Sequence, residues 1–418
     1  MEKINNIKDL ASECSSCVIK PCQVGCPLNN DITGFIKLVK QEKYKEAYEL
    51  LCETTVLQAI CGKICPHYRQ CQGSCVRRIS YTPVQIGKLE ALVGNMAIEK
   101  GWKIPKNTEV KKNKKVAVIG GGPAGLTCAA FLSKDGFDVT IYEKHKKLGG
   151  IIEHGIPDFR LGRDILQETI NKILDLGIKV KLESELGKNI KLEDLEKEYD
   201  AVFLSFGANI SSKMNIPGEE IQGVYGGNEL LEHKIFPDLE GKKVAVIGGG
   251  NVAMDTCRTV KRLGAKEVTV IYRRTEKQMP AEEKEIEDAK NEGVEFLFQT
   301  NILKILGDKK VEKVECIKTE LVKKPGEVRE SPVNIENSNF IIDMDYVIMA
   351  VGSKVEDKLV NSLDIERTER GTIKIDSNNM TSREKIFAGG DLAGSKGTVA
   401  WAARAGRNAA ENIKKYLS

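Results

Sequence analysis

The sequence predicts an α/β fold of two Rossmann-like dinucleotide-binding domains, one inserted in the other, preceded by a small all-α domain. The segment "KKVAVIGGG" occurs at residues 114–122 and again, identically, at 242–250. Each copy is a β-branched run that ends in glycines and continues into a helical pattern. Each then reaches a second strand, "DVTIYEK" at 138–144 and "EVTVIYRR" at 267–274, which makes two βαβ units. Nine of the twelve cysteines crowd into the first 75 residues, in "CSSCVIKPCQVGCP" (14–27), at Cys52, and in "CGKICPHYRQCQGSC" (61–75).

A chain of 418 residues can bury full-sized cores and has no need of disulfide staples. "MEKINNIKDLASEC" has no apolar signal region, and no run approaches the ~18 apolar residues of a membrane span. A cytoplasmic chain with no membrane partner is expected. In that reducing compartment clustered cysteines are metal ligands or redox thiols. The formal charge of +4 is small for the length, and "KKNKK" (111–115) reads as a solvated linker, so nothing points to nucleic acid.

In the first repeat Gly120, Gly122 and Gly125 form GxGxxG where a strand turns into a helix. Glycine allows a tight turn, a close approach of backbone to pyrophosphate, and close helix–strand packing, while the helix N-terminus offers N–H groups to the phosphates. Glu143 closes the next strand, where a carboxylate accepts hydrogen bonds from a ribose diol.

The second repeat gives GxGxxA at Gly248, Gly250 and Ala253, and carries Arg273 and Arg274 in place of Glu143. A carboxylate repels a 2′-phosphate and a guanidinium pairs with it. The first site therefore suits the adenosine of FAD, and the second suits NADPH.

The tail "IFAGGDLAGSKGTVAWAARAGRNAAENI" (386–413) reads as strand, Gly-Gly-Asp turn and Ala-rich helix. Asp391 is expected to hold the ribityl or pyrophosphate part of a flavin cofactor. The helix starting near Thr398 would aim its positive end at charge on the flavin ring. Gly150 and Gly390 complete the expected FAD contacts. Strand ends at "VFLSFGA" (202–208) and "VIMAVGS" (347–353) suggest that an NADPH domain at 239–342 is inserted into an FAD domain at 111–238 and 343–418, after a helical domain at 1–110.

The second cysteine group, Cys61, Cys65, Cys71 and Cys75, contains no CxxC, as paired zinc sites usually do. Iron–sulfur clusters tolerate such spacing and carry single electrons. Setting aside Cys52, which lies on a helical pattern, eight cysteines remain, enough for two four-ligand clusters with none spare. "DITGFIKLVKQ" places Ile32, Phe35, Ile36 and Val39 on one helical face behind Asp31 as N-cap. "IGKLEALVGNMAIE" aligns Ile86, Leu89, Val93, Met96 and Ala97. Glu90 falls inside that stripe, either reaching solvent at its edge or paired with something buried.

Cys128, Cys257 and Cys316 stand singly, so a dithiol relay is disfavoured and they read as small apolar residues. The economical scheme passes hydride from NADPH to the flavin and then single electrons through the clusters to an outside acceptor. No side chain need act as acid or base. His154 and His67 read as structural.

Residues 111–418 resemble flavoproteins with two dinucleotide-binding domains. The whole chain resembles the glutamate synthase small-subunit family, on "GIPDFRL" (155–161), "GGGNVAMDTCRTVKRLGA" (248–265) and "VIYRRTEKQMPAEEKEI" (270–286). The resemblance implies that Cys14, Cys17, Cys22 and Cys75 hold one [4Fe–4S] cluster. It gives Cys26, Cys65 and Cys71 to the other, with Glu90 as the non-cysteine ligand, and leaves Cys61 out.

The resemblance also implies Asn251 and Val252 as cofactor contacts, and a second, electron-accepting subunit as partner. That partner is a glutamate synthase large subunit or a flavoprotein of the ferredoxin reductase type. Members of the family include the large subunit of a bifurcating NADH-dependent ferredoxin:NADP oxidoreductase, towards which Asn251 and Val252 lean. They also include the electron-input part of dihydropyrimidine dehydrogenase, where Gln is typical at the Glu90 position. An iron–sulfur redox sensor is the non-enzymatic alternative, and the intact second glycine motif argues against it.

Overall fold

Each copy of the repeated segment forms the central strand of its own parallel sheet. In the computed structural model, which describes residues 2–323 and 330–418, Lys115–Ile119 lies between Asp138–Tyr142 and Ala201–Leu204. Lys179–Lys181 and Ile386–Ala388 form the edges of this sheet. Val116, Ala117, Val118 and Ile119 are all buried, as a strand covered on both faces must be.

Lys243–Ile247 likewise lies between Glu267–Tyr272 and Tyr346–Met349, with Val224–Gly226 and Glu295–Phe298 outermost. In both sheets the glycine turn follows the strand at which the order reverses, where open α/β sheets bind ligands.

The chain divides into two units, residues 1–208 with 355–418, and 209–354. The second therefore starts before and ends after the expected insertion at 239–342. Val224–Gly226 and Tyr346–Met349 both pair within its sheet. Ile210–Ser211 and Ser353–Lys354 form an antiparallel stem where the chain enters and leaves. "VIMAVGS", expected to return to the first domain, is thus the last strand of the inserted sheet. This unit also carries an antiparallel sheet of Thr300–Leu306, Lys313–Val322 and Ser331–Asp343 that the sequence did not announce.

The N-terminal helices share the first unit with the first sheet. One core joins Phe35, Ile60 and Val93 to Val118, Leu126 and Ala409. The helix Ile32–Lys40 begins at Asp31, whose side chain accepts from Gly34 N at 3.1 Å, and it buries Ile32, Phe35, Ile36 and Val39.

The helices Gln58–Ile64 and Ile86–Glu99 meet almost backbone to backbone. A Cβ on Gly62 would stand 2.3 Å from Ala91 N, and one on Gly94 2.4 Å from Ala59 N. Met96 is only half-buried, while Glu90 is buried. Among the described residues no helix is long and apolar enough to cross a membrane.

Candidate functional site

The first glycine turn requires glycine at two of its three motif positions, Gly120 and Gly125. Gly120 has φ +104°, and a Cβ on Gly125 would stand 1.9 Å from the Gly120 carbonyl oxygen. Gly122 is the N-cap of the helix Pro123–Lys134, whose first residue has no N–H to satisfy. Gly150 has φ +53°, and a Cβ there would come within 2.8 Å of Gly122 Cα.

Glu143 is buried and already accepts from Gly121 N at 2.8 Å and His145 N at 2.9 Å. A carboxylate can accept about four hydrogen bonds, so its anchoring leaves capacity for a ribose diol.

In the tail, Gly390 (φ +67°) and Asp391 form a 3₁₀ turn after the strand Ile386–Ala388. Asp391 Oδ1 is buried without a hydrogen-bond partner among the described residues. Burial raises this carboxyl above its ordinary value, and the Gly397 N–H opposes the shift. A buried, orphaned acceptor is expensive alone and fits a ligand hydroxyl donor. Thr398 caps the helix Val399–Tyr416, its side chain accepting from Trp401 N at 3.3 Å.

In the second unit Gly248 has φ +137°, and Gly250 caps the helix Asn251–Arg262. Asn251 Oδ1 accepts from Glu282 N at 3.1 Å, and Ala281 N donates to Gly249 O at 3.0 Å, so the "PAEE" loop is tied to the glycine turn. Val252 packs against the core of this unit.

Arg273 is exposed and Arg274 half-buried, immediately after the strand Glu267–Tyr272. Their carbonyl oxygens accept from the Thr319 hydroxyl at 2.8 Å and Gln299 N at 3.0 Å. Arg274 Nε is buried with no hydrogen-bond partner among the described residues. The backbone is pinned while guanidinium capacity stays unspent.

The N-terminal thiols fall into two groups. Cys14, Cys17, Cys22 and Cys75 line a cavity of about 320 Å³ with Pro21, Ile36 and others. Burial, with Cys14 and Cys75 alongside, pushes the Cys22 thiol up to about 11.

Cys26, Cys65 and Cys71 gather at Glu90. Burial, then the Glu90 charge and Cys65, pushes Cys26 up to about 12. Burial raises Cys71 too, with Cys26, Glu90 and Cys65 as neighbours. Glu90 is 6 % exposed and accepts from Asn30 Nδ2 at 3.3 Å. Its burial pushes the carboxyl up to about 8 against that hydrogen bond.

Cys61, which the resemblance leaves out, is buried beside Cys65 of this second group. Its hydrogen bond with Cys65 pulls its pKa down, yet burial and the charges of Glu90, Cys26 and Cys71 leave it raised. Among the described residues no three His, Cys, Asp or Glu side chains converge as a single-ion site. The first four thiols instead surround a volume, the donor set that an iron–sulfur cube takes.

Residues that the sequence reading missed join the second thiol group to the C-terminal helix. Arg404 Nη1 donates to Pro27 O at 3.1 Å, and Arg407 Nη1 donates to Leu28 O at 2.9 Å and Thr54 O at 2.7 Å. Burial lowers Arg407 below its ordinary value, and Cys26 is among the charges acting on it. "ARAGRN" carried the signal, since two arginines three apart share one face of a helix otherwise rich in alanine.

His67 Nε2 faces Cys61 O at 3.2 Å, and His154 Nε2 faces Lys147 O at 3.3 Å, both structural roles. Cys128, Cys257 and Cys316 are buried singly, and burial raises each thiol. Cys52 is buried, with Gln58 Nε2 donating to its sulfur at 3.2 Å.

Sheet order, glycine turns and thiol groups together define a class, the pyridine-nucleotide oxidoreductases that pair a flavin domain with a 4Fe–4S domain. Residues 114–409 match the pyridine nucleotide-disulphide oxidoreductase family, and residues 2–102 match the dihydropyrimidine dehydrogenase domain II, 4Fe-4S cluster family. The chain is 35% identical to the glutamate synthase [NADPH] small chain of Escherichia coli, over 98% of this chain and 91% of that one. It is 34% identical to the NADPH-Fe(3+) oxidoreductase subunit beta of Geobacter sulfurreducens, over 95% of this chain and 63% of that one. Among solved structures, Mycobacterium tuberculosis FprA in complex with NADPH shares the fold, with TM-score 0.66 and 19% identity, over 73% of this chain and 84% of that one.

The chain belongs to the glutamate synthase small-chain family. It is an NADPH-dependent flavin oxidoreductase of the electron-transfer kind, with FAD, NADPH and 4Fe–4S as its cofactors.

Proposed function

We propose that this chain is the NADPH-oxidising, electron-supplying subunit of a glutamate synthase-type enzyme. FAD is assigned to the first glycine-motif domain, NADPH to the second, and two [4Fe–4S] clusters to the N-terminal helices. The observation that carries the reading is the division of the thiols, with Cys14, Cys17, Cys22 and Cys75 around one cavity and Cys26, Cys65 and Cys71 around Glu90.

Bound FAD supplies the conversion of a hydride from NADPH into single electrons. Gly120, Gly122 and the N-terminus of Pro123–Lys134 receive its pyrophosphate, and Gly150 keeps the facing loop close. Glu143 accepts from the ribose diol, and the orphaned Asp391 oxygen accepts from a flavin hydroxyl. Gly390 makes the turn that aims Asp391, and Thr398 caps the helix whose free N–H groups meet negative charge.

In the second unit Gly248, Gly250 and Asn251 shape the phosphate turn, with Val252 behind it. Arg273 and Arg274 pair with the 2′-phosphate. Arg404 and Arg407 hold the loop of Cys26 against the C-terminal helix, which ties the Glu90 group to the flavin domain.

The partner is an electron-accepting subunit, which under this reading is the glutamate-forming one. Asn251 and Val252 favour a second reading, in which the partner is a smaller flavoprotein of the ferredoxin reductase type. Capture of the tagged chain from native anaerobic extract separates them. A large amidotransferase supports the first reading, and a ferredoxin reductase-type flavoprotein overturns it in favour of the second.

A further inference from the structure

A fifth thiol lies beside the four donors assigned to the second cluster. Cys26, Cys65, Cys71 and Glu90 fill that set, and Cys61, 1 % exposed, immediately precedes Gly62 as Glu90 immediately precedes Ala91. Its position is built in. Gly62 and Gly94 let the helices carrying Cys61 and Glu90 meet at backbone distance, where a Cβ would stand 2.3 Å from Ala91 N and 2.4 Å from Ala59 N. Cys65 caps the helix one turn after Cys61, its N–H donating to Cys61 O at 3.1 Å, and the Cys61 thiol is engaged by a hydrogen bond with Cys65. His67 Nε2 meets the Cys61 carbonyl oxygen at 3.2 Å, which fixes the backbone there.

We propose that Cys61 is a reserve ligand of this cluster, able to replace Glu90 on the same iron. The inference rests on the reading of Glu90 as the fourth ligand. In the exchange the bond from iron to the Glu90 oxygen breaks, a bond from iron to Cys61 Sγ forms, and the thiol proton passes to the released carboxylate. No electron is gained or lost. Soft thiolate is the better match for cluster iron than hard carboxylate, so the exchange keeps four irons bound when the weaker ligand leaves.

The test uses the anaerobically purified full chain with both clusters loaded, comparing Glu90→Ala, Cys61→Ser and the double variant by iron count and EPR. Glu90→Ala is expected to keep its iron while the signal of one cluster shifts. Cys61→Ser is expected to leave the resting spectrum unchanged, and the double variant to lose one iron and show a three-iron signal.

A three-iron signal in Glu90→Ala alone overturns the proposal while leaving Glu90 a ligand. Unchanged spectra in Glu90→Ala overturn the reading of Glu90 itself. A shifted resting spectrum in Cys61→Ser shows Cys61 to be a resident ligand and overturns its reserve role. Should Glu90→Ala fail to fold, Glu90→Ser, which keeps a polar atom for Asn30, carries the same comparison.

Discussion

Arg407 donates to the Leu28 carbonyl oxygen at 2.9 Å, across 379 residues of sequence. The same guanidinium nitrogen reaches Thr54 O at 2.7 Å. One side chain therefore ties the loop after Cys26 to the helix that Thr398 caps in the flavin domain. Under the proposed assignment a cluster at Cys26 would need a fixed distance from that domain to exchange electrons at a useful rate, and this contact would keep it.

Arg407→Ala leaves both carbonyl oxygens without this donor, a loss of about 1–3 kcal/mol for each that stays buried. Thermal unfolding of the variant is expected at lower temperature. Flavin bleaching by NADPH should stay close to the parent rate while the slower appearance of reduced-cluster EPR signals reports the loosened loop. Equal slowing of both steps would show that Arg407 acts on flavin reduction instead.

Replacing Arg273 and Arg274 together by Ala removes the guanidinium groups proposed to pair with the 2′-phosphate. Charge-assisted pairs of this kind contribute about 1.5–3 kcal/mol, so the preference for NADPH over NADH should fall roughly 10–100-fold. Steady-state KM for the two nucleotides measures it. An equal loss with both would remove the 2′-phosphate assignment.

A Cβ at position 406 would stand 2.0 Å from the Ala124 carbonyl oxygen, because the C-terminal helix packs directly on the helix of the first glycine turn. Gly406→Ala must part the two helices, at a cost of about 1–3 kcal/mol. The expected outcome is a lower melting temperature and faster FAD release on dilution, both readable from flavin fluorescence.

Removal of iron by a chelator should destabilise the N-terminal helices, since under the proposed assignment their buried thiols and Glu90 lose the group that holds them. Any folded apo form should also depend on pH. Folded Glu90 keeps its proton to about 8, whereas the ordinary value is 4.5. The unfolded chain releases that proton first, so stability falls as pH rises from about 4.5 to about 8, and the loss is complete above that range. Denaturant midpoints of the apo chain across this range would measure it, and Glu90→Gln should flatten the slope.

The repeated "KKVAVIGGG" made both central strands and their glycine turns legible, because the βαβ signal is local. Asp31, Ile32, Phe35, Ile36 and Val39 were readable for the same reason, as cap and face of one helix. The limits of the inserted unit were not. Val224–Gly226 is too short to declare itself, and Tyr346–Met349 looks like any buried strand until its partner Val244–Ile247 is known. The helices of Cys61 and Glu90 come together because Gly62 and Gly94 admit a close pair, and spacing along the chain does not encode that approach. Arg404 and Arg407 were hidden likewise, as ordinary charges on a helix whose target lies at the other end of the sequence.

Stepwise anaerobic titration of the loaded chain with NADPH, followed by flavin absorbance and low-temperature EPR on the same samples, tests the central claim most directly. The flavin band should bleach and the signals of two distinct reduced clusters should rise with it. A flavin that bleaches while neither cluster signal appears would contradict the account of a two-cluster wire fed by NADPH.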